Sequence, residues 1–355
     1  MDGSAPLRFP HETAPQPGEA VEVADGVFWL RMSLPMKLDH VNCYALADDD
    51  GWTIVDTGVG SETTRNHWRA ALDGPLSAKP VKRLLVTHHH PDHVGLAGWF
   101  QSELGAELIM PRTGWLMARM LVLDDQDRPA PEQVSFWRGA GMAPDLLEKA
   151  QDKRPFNFAD IVDPLPLGFT RLREGDVLRL AGRVWDVRMG DGHAPEHATL
   201  WSRDGDLVLG GDQLLASISP NLGVYATEPG ADPVGEWLDS CLRLSPFAKD
   251  DQLVLPGHKL PYTGLPTRMM QLVDNHHEAL ARLLASLDTP KTAADCFSVL
   301  FRSTINEGNY GLALVEAVAH LNHLLFQGKV ARNRSGDGAW LWHRIGSGHD
   351  QHPDD

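Results

Sequence analysis

Only three cysteines occur in 355 residues: Cys43, Cys241 and Cys296. They are far apart, odd in number and without a C-x-x-C pair, so no disulfide framework is implied. Each reads as a small buried apolar residue. No run approaches 18 consecutive apolar residues, which excludes a membrane-spanning helix. Basic residues are outnumbered, 32 against 48 acidic, and the formal charge of −16 argues against nucleic acid and anionic membranes as partners. The first twenty residues carry Pro10, Pro15, Pro17 and acids in place of a basic-then-apolar leader. They are expected to form a loose lead on a cytoplasmic protein. The remaining balance, 42% apolar and 23% charged, is that of a globular chain.

The chain is organised around Thr87-His88-His89-His90-Pro91-Asp92-His93, in which five of seven side chains are metal-ligand types. The stretch follows Val81 to Val86, a short apolar run that predicts a buried strand. Val94 to Leu104 then predicts a helix, with Asp92 as its cap and Gly105 as its stop. In extended backbone alternate residues point the same way, so His88 and His90 can share one metal while His89 points elsewhere. Asp92 and His93 lie past the bend at Pro91 and face a second position.

His-X-His-X-Asp-His after a hydrophobic strand resembles the signature of the metallo-beta-lactamase superfamily. Four further stations of that family follow its order: Asp56-Thr57-Gly58, Gly192-His193, Gly211-Asp212 and Pro256-Gly257-His258. The resemblance implies one metal on His88, His90 and His193, and a second on Asp92, His93 and His258, with Asp212 bridging. It implies two zinc ions, with manganese or iron as other occupants, because ligand sets alone select weakly. Asp92 and Asp212 are the candidate catalytic carboxylates, serving a hydroxide shared by the metals as nucleophile. Asp56 is expected behind a ligand histidine, accepting its far N–H. His197 is expected in the same supporting layer. Glu196 stands where the family usually carries Gly, which alters the shape and charge of that loop. His40 and Tyr225, at strand ends, are candidate pocket residues. His89 occupies the place where redox di-iron members of the fold carry Glu, which favours hydrolysis.

Along the chain, Val21 to Met32, Val41 to Ala47 and Trp52 to Val55 read as strands, and Ser61 to Leu72 as a capped helix. Residues 111–168 break the rhythm as a helical insertion. Trp115, Leu116, Met117, Met120 and Leu121 recur there at helical spacing, giving either a packed subdomain or an apolar wall beside the metals. Strands resume at Val177 to Leu180, Arg183 to Met189, Ala198 to Ser202, Leu207 to Leu209 and Leu253 to Leu255. Mixed α and β structure follows from these patterns, and the resemblance implies an α+β four-layer αββα sandwich. The expected domains are a lead over 1–20, a catalytic domain over 21–263, a C-terminal helical unit over 264–345 and a tail over 346–355. The C-terminal helices followed by a hairpin at Ser335-Gly336-Asp337-Gly338 look like a winged-helix unit. Such a unit follows the catalytic domain in a subgroup resembling the beta-lactamase-like protein 2 type. Its third helix, Tyr310 to Gln327, has no Lys or Arg, so packing or homodimer formation is expected of it, and not reading of DNA.

The activity these readings favour is hydrolysis of a small ester, thioester or lactone by a binuclear metal centre. The motif set resembles that of hydroxyacylglutathione hydrolases, from which the insertion departs. A Met- and Trp-lined insertion suits an acyl chain, including that of an acyl-CoA. The alternatives are a phosphodiesterase or ribonuclease of the same fold, and a mononuclear iron persulfide dioxygenase.

Overall fold

The computed structural model describes residues 6–345. The expected tail and the first five residues of the lead lie outside the described residues. The expected single strand from Val21 to Met32 is two: β1 (Val21–Ala24) and β2 (Val27–Ser33). They turn at Asp25-Gly26, where Gly26 takes φ +70, a left-handed conformation that favours glycine. β3 (His40–Ala47) and β4 (Trp52–Val55) follow, then α1 (Glu62–Asp73) with Ser61 as its N-cap, accepting from the Thr64 amide. β5 (Val81–Leu85) delivers the metal-ligand loop.

The next segment departs from expectation. In place of one helix capped by Asp92 there are two, α2 (Pro91–Val94) and α3 (Ala97–Leu104), and Asp92 sits inside the first turn of α2. Gly95 lies beside the break. A Cβ there would meet Gly58 O, Pro91 O and Gly60 N within 2.6 Å, so only glycine fits; its own backbone stays helical, and the break itself falls at Leu96, at φ −104, ψ 16. Gly105 ends α3 at φ +67, as its position predicts.

β6 (Glu107–Pro111) leads into α4 (Arg112–Leu123), α5 (Pro131–Gly139), α6 (Pro144–Gln151) and a 3-10 turn at Phe158–Asp160. β7 (Thr170–Leu172) is a strand that sequence patterning misses, because three residues show no period. β8 (Val177–Leu180), β9 (Arg183–Gly190), β10 (His197–Ser202) and β11 (Leu207–Gly211) form the second run of strands. α7 (Pro233–Leu244), β12 (Leu253–Pro256), α8 (Leu265–Ser286), α9 (Phe297–Leu300), α10 (Tyr310–Phe326), β13 (Val330–Arg334) and β14 (Trp340–Arg344) complete the described chain.

The chain divides into two compact units. The first runs to Gln126 and adds Phe156–Pro220 and Trp237–Leu272. It holds a seven-stranded sheet in the order β1-β2-β3-β4-β5-β6-β7 and a five-stranded sheet in the order β12-β11-β10-β9-β8. Trp29, Tyr44, Val55 and Leu85 of one sheet share a buried core with Trp185, Val187, Leu200 and Leu255 of the other. The outer face of the larger sheet packs Ile54 and Leu84 against Trp68 of α1, Phe100 of α3 and Ala118 of α4. Beyond the smaller sheet, Arg243 of α7 donates to Met189 O, and Ser240 Oγ accepts the Asp191 amide. These are the layers of an αββα sandwich. Within the lead, Arg8 exchanges backbone hydrogen bonds with Thr263.

The second unit takes Asp127–Pro155, Asn221–Glu236 and the chain from Val273. It therefore contains α5 and α6 of the insertion, whereas α4 belongs to the first unit. Its centre is α10, whose run from Ala313 to Leu324 is buried, Glu316 somewhat less than its neighbours. β13 and β14 pair antiparallel after it.

Candidate metal centre

Strands β4, β5, β6 and β7 run parallel, as do β11 and β12. Their C-terminal ends share an edge of each sheet, and the ligand-type residues lie just beyond those ends: Asp56 after β4, His88 to His93 after β5, Asp212 after β11 and His258 after β12. His193 follows β9. The edge is tied across the sandwich. Asn42 N donates to Gly257 O at 2.7 Å, Tyr44 Oη to Pro256 O at 2.8 Å, and Ala198 N to Thr87 O at 2.9 Å. A rigid double sheet thus holds loops that carry function.

Three groups of side chains lie with their ligand atoms within 4.8 Å of one another: His88, His90 and His193; Asp92, His93 and His258; and His88, His93 and Asp212. Asp212 reaches both triads. Its Oδ2 is 3.4 Å from His193 Nε2 and 3.2 Å from His258 Nε2, and its Oδ1 is 3.5 Å from His93 Nε2. Asp92 Oδ2 is 3.4 Å from His258 Nε2. All seven residues that the sequence marks as ligands are therefore brought together. His89 is not among them, and its ring lies parallel to Phe158 at 6.4 Å.

These side chains fit a cation. His93 Nε2 and Asp212 Oδ1 are buried, have no hydrogen-bond partner among the described residues, and stand too far apart to satisfy each other. His88 Nε2 and His90 Nδ1 face each other at 3.0 Å, an approach that needs a proton or a cation between two lone pairs. A Cβ at Gly257 would collide with Asp212 Oδ1 and come within 2.9 Å of His93 Cε1, so glycine keeps the space between these groups open.

The electrostatics agree. Burial and the neighbouring histidines hold His88 and His90 well below the usual imidazole range. Burial also lowers His93, but Asp212, Asp92 and Asp56 outweigh it and carry the ring well above that range. Burial alone would raise Asp212; His258 and His93 reverse the sign and hold it well below the carboxylate range. The site thus keeps the Asp212 carboxylate ionised beside the imidazole nitrogens.

Behind the ligands stands a second set of bonds. Asp56 Oδ1 accepts from Thr87 N at 2.8 Å, and its Oδ2 from Thr87 Oγ1 and His93 Nδ1, each at 2.8 Å. Thr87 Oγ1 in turn lies 3.0 Å from His88 Nδ1. One buried carboxylate so orients a candidate ligand of each triad, leaving Nε2 of each ring to the centre. Thr57 Oγ1 donates to His93 O at 2.9 Å and accepts from Leu96 N at 3.0 Å, pinning α2 to the loop after β4. His197 lies in the same supporting layer: its Nε2 accepts the Asp212 amide at 3.1 Å, and its ring stacks on His88 at 4.5 Å. Burial pushes this ring down to about 3.

His40 is buried with both ring nitrogens engaged. Nε2 accepts Lys259 N at 2.9 Å and Nδ1 lies 2.6 Å from Asp39 Oδ1, while His40 O accepts from His258 Nδ1 at 2.8 Å. It supports His258, a candidate ligand, and has no nitrogen left for a substrate. Tyr225 belongs to the second unit, where its side chain is half exposed. Sequence reasoning missed Asp39, Thr57 and Thr87; the two threonines stand inside or beside the motifs, but no periodicity marks a supporting hydroxyl.

Among the described residues, three of the four non-glycine residues with positive φ border this centre: Asp56 at 60°, Glu196 at 51° and Lys259 at 70°. Each such residue costs about 1–3 kcal/mol, a strain that persists only where several contacts hold the backbone. Asp56 has its three bonds, and Lys259 O accepts from Arg31 at 2.6 Å and from Asn42 at 3.0 Å.

Residues 36–284 match the family described as Metallo-beta-lactamase superfamily. The chain belongs to the metallo-beta-lactamase superfamily. Residues 280–345 match the Metallo-beta-lactamase-like, C-terminal domain. This superfamily member is 28% identical over 318 residues to a probable metallo-hydrolase, YqjP, of Bacillus subtilis, covering 84% of this chain and 92% of that one. It superposes on the crystal structure of a beta-lactamase domain protein from Burkholderia ambifaria with a TM-score of 0.86 and 35% identity, over 96% and 97% of the two chains. It is 24% identical to the acyl-coenzyme A thioesterase MBLAC2 of Gallus gallus, over 66% of this chain and 78% of that protein. The likeness places this chain among the metallo-hydrolases of the superfamily, with His/Asp clusters suited to metal.

Proposed function

We propose that the protein is a binuclear, zinc-dependent hydrolase of thioesters that carry an apolar acyl chain. The observation that carries the reading is the position of Asp212, within 3.5 Å of ligand nitrogens from both triads. His88, His90 and His193 would hold one ion, Asp92, His93 and His258 the other, and Asp212 would face both. When bound, such ions supply a Lewis acid for a carbonyl oxygen and lower the pKa of water to about 7.

The chain's own residues do the rest. Asp56 and Thr87 fix the ring planes of His88 and His93. His40 O holds His258 Nδ1, and His197 fixes the backbone of Asp212. A thiolate leaves without a proton donor, so a thioester asks the least of a centre whose acids and imidazoles are taken up as ligands. Apolar surface begins at the ligand loop. Phe158 faces His89, Phe156 packs on Phe158 at 6.1 Å, and Gly114 of α4 lies close to the backbone of His88 and His89. Leu116, Met120 and Leu123, by contrast, are exposed on the face of α4 turned away from Gly114 and the ligand loop. The aromatic pair beside His89 supports an acyl chain as the recognised group, and the likeness to an acyl-coenzyme A thioesterase points the same way.

Nucleic acid is not the substrate in this reading. The net charge is −16, and α10, the helix that would read bases, is buried and carries no Lys or Arg. Homodimer formation through the second unit belongs to the same proposal, and sedimentation measures it. An acyl-CoA panel of increasing chain length tests the activity. Rising kcat/KM with chain length is expected, and absence of turnover across the panel by the metal-loaded enzyme would overturn it.

A further inference from the structure

Glu196 occupies a position that its chemistry does not favour. Its φ is +51, and the resembled family usually carries glycine there. Yet its side chain is fully used. Glu196 Oε2 accepts the backbone N–H of Thr113, at the first turn of α4, at 2.7 Å, and its Oε1 lies 3.2 Å from Arg171 of β7. Its own N–H donates to Asp191 Oδ1 at 3.0 Å, and Asp191 Oδ2 pairs with Arg243 at 3.1 Å. These contacts, all within the first unit, depress the carboxyl below its ordinary value despite burial, through the Thr113 and Arg171 bonds. The loop from His193 to His197 is thus fastened to the start of the helix whose Gly114 lies against the His88–His89 backbone. An N-terminal amide of α4 that has no partner within its helix finds one here.

We propose that Glu196 is a positioning residue, clamping the His193 loop to the first turn of α4 so that His193 and the Gly114 turn packed on the His88–His89 backbone keep a fixed relation. Glycine at this position would relieve the backbone strain and release both ends of the clamp. A purely structural side chain predicts that its loss costs stability and nothing else. The clamp predicts the opposite pairing: stability kept, α4 and His193 loosened. The inference depends on His193 being a metal ligand and on no particular substrate.

The test compares wild type with Glu196→Gly, Glu196→Asn and Glu196→Gln. Glycine and asparagine tolerate positive φ but do not reach Thr113, whereas glutamine keeps an acceptor at the right length. Hydrogen exchange at the amides of Thr113 to Trp115 is expected to quicken by about tenfold or more in the Gly and Asn variants and to stay near wild type in Gln. Chelator competition for bound zinc is expected to show faster metal release in the same two variants, with Tm unchanged or raised in Glu196→Gly. Wild-type exchange and metal release in folded Gly and Asn variants would overturn the proposal. So would a Gln variant as loose as Gly, since the hydrogen bond to Thr113 would then carry nothing. The exchange measurement requires neither substrate nor turnover, so it stands apart from the acyl-CoA panel.

Discussion

Asp56 Oδ2 lies 2.8 Å from His93 Nδ1, and both side chains are almost wholly buried. The same oxygen accepts Thr87 Oγ1, which faces His88, so a single carboxylate sets the ring orientation of a ligand in each triad. Asp56→Asn keeps the shape but presents a donor to at least one of these partners. Metal affinity and kcat/KM are each expected to fall by about 10- to 100-fold. Chelator competition and thioester kinetics measure the two, and a variant with wild-type values in both would remove Asp56 from the account.

Gly257 is predicted to be intolerant for a different reason. A Cβ there fills the space between Asp212 and His93. Gly257→Ala is expected to purify folded, with a wild-type circular dichroism spectrum and little or no bound metal. Full metal content in this variant would mean that the open space beside Asp212 is unrelated to ion binding.

The aromatic pair beside the ligand loop yields a prediction about substrate. Changing Phe156, which packs on Phe158 next to His89, to Ser is expected to raise KM for long-chain thioesters by roughly tenfold, because the acyl chain then has less apolar surface to bury against. Short-chain thioesters and Tm are expected to change little, because the Phe156 side chain is largely solvent-exposed in the free protein. Equal losses for short and long chains would show that Phe156 does not read the acyl group.

Glu316 supplies a pH dependence outside the metal centre. Burial on α10 raises its pKa from 4.5 to about 7, against a hydrogen bond from Asn221 Nδ2 at 2.8 Å. The folded state therefore keeps a proton that the unfolded chain has lost. Stability from this group is complete below about pH 4.5 and is lost as pH rises through about 7, by an amount of order 3 kcal/mol. Glu316→Gln retains the acceptor for Asn221 and has no proton to lose. The difference in unfolding free energy between variant and wild type is expected to grow in favour of the variant between pH 5 and 8. A difference independent of pH would contradict the assignment.

Much of this architecture is legible in the sequence. The candidate ligand residues are marked by motif spacing and by their places after strands, and the structure gathers all seven. Strands such as Trp52 to Val55 and the Ser61 cap are readable because apolar runs and capping chemistry are local. What escapes is long-range. Thr87 and Asp39 matter through partners that only folding brings near. Glycine at position 95 is required by backbone from residues 58 and 60, far away in sequence. β7 is three residues long and owes its existence to pairing with β6. The division of the insertion, with α4 in one unit and α5 and α6 in the other, depends on packing that no periodicity records. The Asp25-Gly26 turn is visible in principle, since Asp-Gly between apolar runs signals a hairpin.

The most direct test of the account is metal content per chain, by elemental analysis of protein purified without added metal. The two triads joined by Asp212 predict two zinc ions per chain, removed together with thioesterase activity by a chelator and restored with it. One iron per chain, with no zinc and with oxygen consumed in the presence of a persulfide, would contradict the binuclear hydrolase.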